Sequence, residues 1–86
     1  MTAYIPSALR SYTAQKGAVD AQGATLGEVL SALDRRYPGF RFRIITEQGT
    51  IRQHIRIFVN EEQVPNLTAP LRPDDHIYII CALSGG

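Results

Sequence analysis

His76-Ile77-Tyr78-Ile79-Ile80-Cys81-Ala82 is the stretch that decides the fold, and Leu83-Ser84-Gly85-Gly86 follows it to the end of the sequence. A run this apolar, rich in isoleucine and preceded by Pro73-Asp74-Asp75, predicts a strand after a turn. Its near-continuous hydrophobicity suits a central strand buried on both faces. A central strand with a parallel neighbour needs a long crossover, so the rest of the chain must supply a helix and further strands.

Working back from that strand, Ile55-Arg56-Ile57-Phe58-Val59 reads as a second strand, with Asn60-Glu61-Glu62 as its turn. Val64, Leu67 and Leu71 anchor the loop that follows. At the other end of the chain, Tyr4-Ile5 is the kernel of a first strand. Pro6, which has no N–H to donate, closes it. Leu9 and Tyr12 punctuate a polar stretch, and residues 17–21 return as a short strand despite the weak β propensity of alanine. Gln22-Gly23-Ala24 is the turn out of it.

The crossover helix is the clearest element. Thr25 and Glu28 have the spacing of a capping box, in which each side chain satisfies a free backbone N–H at the helix start. Leu26, Val29, Leu30, Leu33 and Tyr37 recur at helical spacing, with Ser31, Asp34, Arg35 and Arg36 on the other side. The arginines lie in the last turn, where the helix dipole favours cations, and Pro38-Gly39 stops the helix. This stripe is read as core, since no polar groups converge on it. Residues 40–46 alternate Phe40, Phe42 and Ile44 with Arg41 and Arg43, then break at Gln48-Gly49. Both an edge strand and an irregular arm fit that pattern.

Eighty-six residues allow one small domain with little room for a catalytic cavity. At 44% hydrophobic and 20% charged the chain has a globular composition. A net charge of +1 gives no reason to expect nucleic acid as a partner. The single cysteine, Cys81, forms no internal disulfide, and no cluster has zinc-ligand spacing. There is no apolar run of the roughly 20 residues that a membrane span needs, and no signal peptide. The expectation is a soluble, cytoplasmic, single-domain protein without a membrane or nucleic-acid partner.

No catalytic constellation emerges from the titratable residues. His54 is read as solvent-facing and His76 as the opening of the last strand, neither with a patterned partner. Asp74-Asp75 falls far short of a calcium loop and is read as a turn. Cys81, amid apolar residues, is read as a small hydrophobe rather than a nucleophile. Arg41, Arg43, Arg52 and Arg56 make the middle of the chain basic. Both a solvated face and an acidic protein partner account for them.

The end of the chain carries the functional signal. Two glycines after a buried strand offer no Cβ, so an extended tail can thread a narrow channel and bring its carboxylate to another enzyme's nucleotide. A terminal carboxylate is anionic near neutral pH. It is a poor electrophile, and it becomes an acyl donor only after activation, typically as an adenylate.

Taken together, the chain resembles the MoaD/ThiS family of ubiquitin-like sulfur carriers over essentially all 86 residues. The residues that carry the likeness are Ile5-Pro6-Ser7-Ala8-Leu9-Arg10, Thr25-Leu26-Gly27-Glu28-Val29-Leu30, Phe58-Val59-Asn60 and Ala82-Leu83-Ser84-Gly85-Gly86. The Ile-Pro-x-x-Leu-Arg opening is closest to carriers that serve cysteine or related sulfur-metabolite synthesis. Two positions depart from the family pattern: Cys81 stands where proline is frequent, and Asp74 where a Gly-Asp turn is common.

The resemblance implies an α+β, β-grasp fold, with a mixed sheet of four to five strands and one main helix packed on one face. Residues 1–82 form the domain and residues 83–86 a flexible Gly-Gly tail. It implies that the chain is not an enzyme and binds no cofactor. A ubiquitin-activating-type adenylating enzyme would use ATP and magnesium to adenylate the Gly86 carboxylate. A sulfur donor would convert it to a thiocarboxylate, and a biosynthetic enzyme would accept the sulfur. Leu83, Ser84 and Gly85 would be read by the enzymes that take the tail. Phe58 and Arg56, placed by alternation on the open side of their strand, would dock the activating enzyme unless the 40–46 segment covers Phe58. Two other classes remain open: a ubiquitin-like modifier joined through Gly86 to target lysines, and a plain interaction domain whose glycines are incidental.

Overall fold

The computed structural model describes residues 1–82. Five strands form one mixed sheet: β1 (Thr2–Tyr4), β2 (Ala18–Asp20), β3 (Ile55–Val59), β4 (Glu62–Gln63) and β5 (His76–Cys81), in the order β2-β1-β5-β3-β4. β5 lies at the centre, parallel to β1 and antiparallel to β3. The crossover between the parallel strands carries α1 (Leu26–Arg36), whose buried residues Leu26, Val29, Leu30 and Leu33 share one core with Ala3, Ile5, Ile57, Ile77 and Ile79. This is the β-grasp arrangement that the resemblance implies.

The helix start is built as its sequence implies, with one change of partner. Thr25 Oγ1 accepts from the Glu28 N–H (3.2 Å), whereas the Glu28 carboxylate reaches past Thr25 to accept from the Ala24 N–H (3.0 Å). The N–H groups of Leu26 and Gly27 donate to the carbonyls of Ala69 and Leu67, so the long loop before β5 completes the cap. Gly23 must lack a side chain, because a Cβ there would sit 2.8 Å from the Val29 nitrogen.

Five readings are corrected. β5 is central but buried on one face only: Ile77 and Ile79 are in the core, while Tyr78 and Ile80 are 38% and 45% exposed. Its continuous apolar run reflects an apolar solvent face, not a second core. Residues 40–46 form neither strand nor irregular arm but begin with a short helix, α2 (Phe40–Ile44). Phe40 and Ile44, four apart, are buried, and Phe42 between them is exposed, so the apparent alternation belongs to one helical turn. Gly39 enters that turn at φ +93°, and the Asp34 carboxylate of α1 accepts from the N–H groups of Gly39 and Arg41. The first strand covers Thr2–Tyr4 and ends before Ile5. A 3-10 helix, Ser7–Thr13, occupies the stretch read as polar loop and buries Leu9 and Thr13. Finally, Glu62 belongs to β4, leaving Asn60-Glu61 as the turn.

Asn60 and Asp75 tie the two turns at one end of the sheet together. Asn60, at φ +58°, accepts from the His76 N–H through its side-chain oxygen (3.0 Å) and donates its side-chain NH2 to Asp75 (3.0 Å). The Asp75 carboxylate also accepts from the Arg72 N–H (2.8 Å). That backbone bond first, then the Asn60 bond, holds Asp75 below the ordinary value of 3.8. A carboxylate depressed on folding adds stability that is present above its unfolded value and lost as pH falls through the folded one. Asp75→Asn is therefore expected to melt below the parent at neutral pH, with the gap closing below about pH 4. Thermal melts across that range check this. A gap that stays constant into acid would show that the carboxylate charge contributes nothing.

Candidate functional site

The face of the sheet opposite α1 is the side to which alternation along β3 assigns Phe58 and Arg56. Strand register sets what stands there. Tyr4 pairs with Tyr78 and Phe58 pairs with Tyr78 from the other side, so three aromatic rings cross the middle of the sheet in one row. The Tyr4 and Tyr78 rings stack at 4.7 Å and 9°. Tyr4 also stacks on His76 at 5.8 Å, and its hydroxyl shares a hydrogen bond of 2.9 Å with His76 Nδ1. One step along, Arg56 pairs with Ile80. Tyr4, Pro6, Phe58, Tyr78 and Ile80 line a shallow groove with Arg10 and Glu61 among its polar walls.

Phe58 and Arg56 thus lie on the open face, where alternation placed them. Phe58 is half-buried and Arg56 exposed. None of residues 40–46 lines the groove. That segment folds into α2, which packs against α1 and the 3-10 helix. The Arg56 guanidinium donates to the carbonyls of Gln53 (2.7 Å) and Ile55 (3.0 Å). Sequence reasoning missed Tyr4, Tyr78 and Ile80 as members of this surface. The signal was available in the period of two along β5, which assigns Tyr78 and Ile80 to the face opposite Ile77 and Ile79.

The groove is apolar, aromatic and open, with no group of three or more His, Cys, Asp or Glu side chains placed to hold a metal among the described residues. His54 is exposed in the turn before β3, and His76 opens β5. Cys81 is a half-buried thiol packed against the core. Aromatic side chains in a shallow apolar patch desolvate well against a complementary protein face. Leu83, Ser84, Gly85 and Gly86 lie outside the described residues. The last described residue, Ala82, donates its N–H to the His54 carbonyl (2.7 Å), which fixes where the chain leaves the sheet.

The ThiS family profile matches residues 4–86. The chain belongs to the ThiS family. It is 33% identical to the sulfur carrier protein CysO of Mycobacterium tuberculosis over 91 aligned residues, covering 100% of this chain and 98% of that protein. It superposes on a chain in the crystal structure of the Amycolatopsis orientalis BexX/CysO complex with a TM-score of 0.92 at 32% identity, covering 99% of this chain and 98% of that one. SAMP1 of Haloferax volcanii is more distant, with a TM-score of 0.77 at 25% identity, covering 99% of this chain and 97% of that one. The ThiS-family chain is a ubiquitin-like β-grasp protein with sulfur carrier function. No helix among the described residues is long and apolar enough to cross a membrane.

Proposed function

We propose that this chain is a co-substrate rather than a catalyst, that it works in the cytoplasm, and that Gly86 carries the reactive terminal carboxylate. A carboxylate oxygen of Gly86 attacks the α-phosphorus of ATP in a ubiquitin-activating-type enzyme that holds the ATP and magnesium. Pyrophosphate leaves and an acyl adenylate remains. Sulfide then attacks the acyl carbon and AMP leaves, giving the Gly86 thiocarboxylate; a persulfide donor gives an acyl disulfide that a thiol cleaves to the same product. A biosynthetic enzyme accepts the sulfur and returns the carboxylate. Leu83, Ser84 and Gly85 lead Gly86 into each enzyme's channel.

The observation that carries this reading is a family match running through residue 86, so that the Gly-Gly pair falls inside it. The test is the intact mass of the chain after incubation with the activating enzyme, ATP, magnesium and sulfide. The expected product is heavier by the replacement of one oxygen with sulfur, localised to Gly86 by fragmentation. Conjugation to lysine is the second reading, to which the likeness to SAMP1 lends little beyond the fold. It would appear as a protein-sized adduct. Because Lys16 is the only lysine, chains built on the protein itself would have one attachment point.

Docking of the activating enzyme falls to the open face, with Phe58 as the aromatic anchor and Arg56 beside it. Phe58→Ala is expected to weaken that binding at least about tenfold while the fold persists. Calorimetry of binding beside a thermal melt checks it. Unchanged affinity from a folded variant would remove Phe58 from the interface.

A further inference from the structure

Apart from Arg72, which lies beside Asp75, the charged residues of β3 and of the turns flanking it and β5 are sorted between the two ends of the sheet. Ile55 pairs with Cys81 and Val59 with Ile77, so the start of β3 lies beside the end of β5 and the end of β3 beside its start. Glu61, Glu62, Asp74 and Asp75 therefore gather at the end where β5 begins, and Arg52, His54 and Arg56 at the end where the chain leaves it. Arg43 of α2 joins this basic end, where Arg43, Arg52, His54, Tyr12 and Phe42 line one depression.

The arginines there are held in place without being neutralised. Arg43 lies over the Tyr12 ring at 5.2 Å and donates to the Tyr12 hydroxyl. Arg52 lies over the Phe42 ring at 4.6 Å and donates to the Phe42 carbonyl at 2.7 Å. Among the described residues neither forms an ion pair with a carboxylate. A guanidinium that is stacked and bonded to a carbonyl keeps its charge and free N–H donors, and has already lost much of its rotamer freedom.

Reach connects this depression to the tail. Ala82 is bonded to His54, which lines it. Four residues span at most about 14 Å when fully extended. Any enzyme that takes Gly86 into its site must therefore bring its surface over this end of the sheet. Complementary charge across such a contact speeds encounter and fixes register.

We propose that the Arg43–Arg52 depression docks an acidic surface at the mouth of the activating enzyme's tail channel. This rests on the carrier reading for its partner, though not for its charge. The experiment measures association of the full chain with the adenylating enzyme encoded in the same genome, by stopped flow at low and at about 0.5 M salt. The double charge reversal Arg43→Glu/Arg52→Glu should slow association at least about tenfold at low salt, and the gap should close at high salt. Arg43→Lys/Arg52→Lys, which keeps the charge and loses the fork, should keep the rate, and melts show that each variant folds. An unchanged rate in the reversed variant, or a loss shared by the lysine variant or persisting at high salt, would overturn the proposal. If the wild-type chain does not associate at all, the carrier reading fails instead, and titration of the 15N-labelled chain with a glutamate-rich peptide decides the surface. Amide shifts confined to residues around 43, 52 and 54 would retain it as an acid-binding site; shifts spread equally to Arg35, Arg36 and Arg72 would overturn it.

Discussion

Leu30→Ala is expected to lower stability by about 2–5 kcal/mol, measured by denaturant unfolding. Leu30 is fully buried at the middle of α1, in the core that holds Ile57 and Ile79 of the facing strands. Removing its side chain loses burial and leaves a cavity that close-packed neighbours fill only in part. The whole domain has only about 5–15 kcal/mol in hand, so a loss of that size takes a large fraction of it. The Glu28 side-chain bond and the loop carbonyls of Leu67 and Ala69 hold the helix start in place, which confines the effect to packing. A variant that unfolds at the parent's denaturant midpoint would mean that α1 does not pack as described.

The elements that read most clearly in the sequence are those whose local and tertiary signals agree. The capping box at Thr25 and Glu28, the stripe of Val29, Leu30 and Leu33, and the alternation of β3 each point to one structure, and each forms. The segment after Gly39 was not legible because its signals conflict. Phe40, Phe42 and Ile44 have the period of a strand, and what turns them into a helix is the Asp34 carboxylate reaching across from α1. That contact reaches five and seven residues along the chain, across the Pro38-Gly39 break, so it leaves no mark in the apolar period of residues 40–46. The solvent face of β5 misled for a different reason. Tyr78 and Ile80 look like core residues by type; alternation sets them opposite Ile77 and Ile79, and the strand register shows that they stand beside Tyr4 and Phe58 on the outward face. Apolar residues placed on a surface for a partner are indistinguishable, residue by residue, from apolar residues placed in a core. Of the candidate site, Phe58 and Arg56 were legible by alternation, whereas the aromatic row beside them needed the order of the strands.

The second large effect concerns the tail, and it is one of function without stability. Deleting Gly86, or replacing Gly85 with valine, is expected to abolish adenylation while leaving the melting temperature within about a degree or two of the parent, the small change usual for substitutions outside the packed core. Among the described residues, 1–82, Ile77 and Ile79 fill the helix-facing side of β5 in a core shared with α1. On the carrier proposal Gly86 supplies the carboxylate that is activated, and its deletion would move that group back by one residue, out of line with the nucleotide. Valine at position 85 adds a branched side chain where a narrow channel must close around the backbone.

ATP–pyrophosphate exchange with the activating enzyme, run on the parent, the truncated chain and Gly85→Val beside a melt of each, tests the central claim most directly. The carrier account predicts exchange with the parent alone and three coincident melts. Full exchange from the chain lacking Gly86 would contradict it.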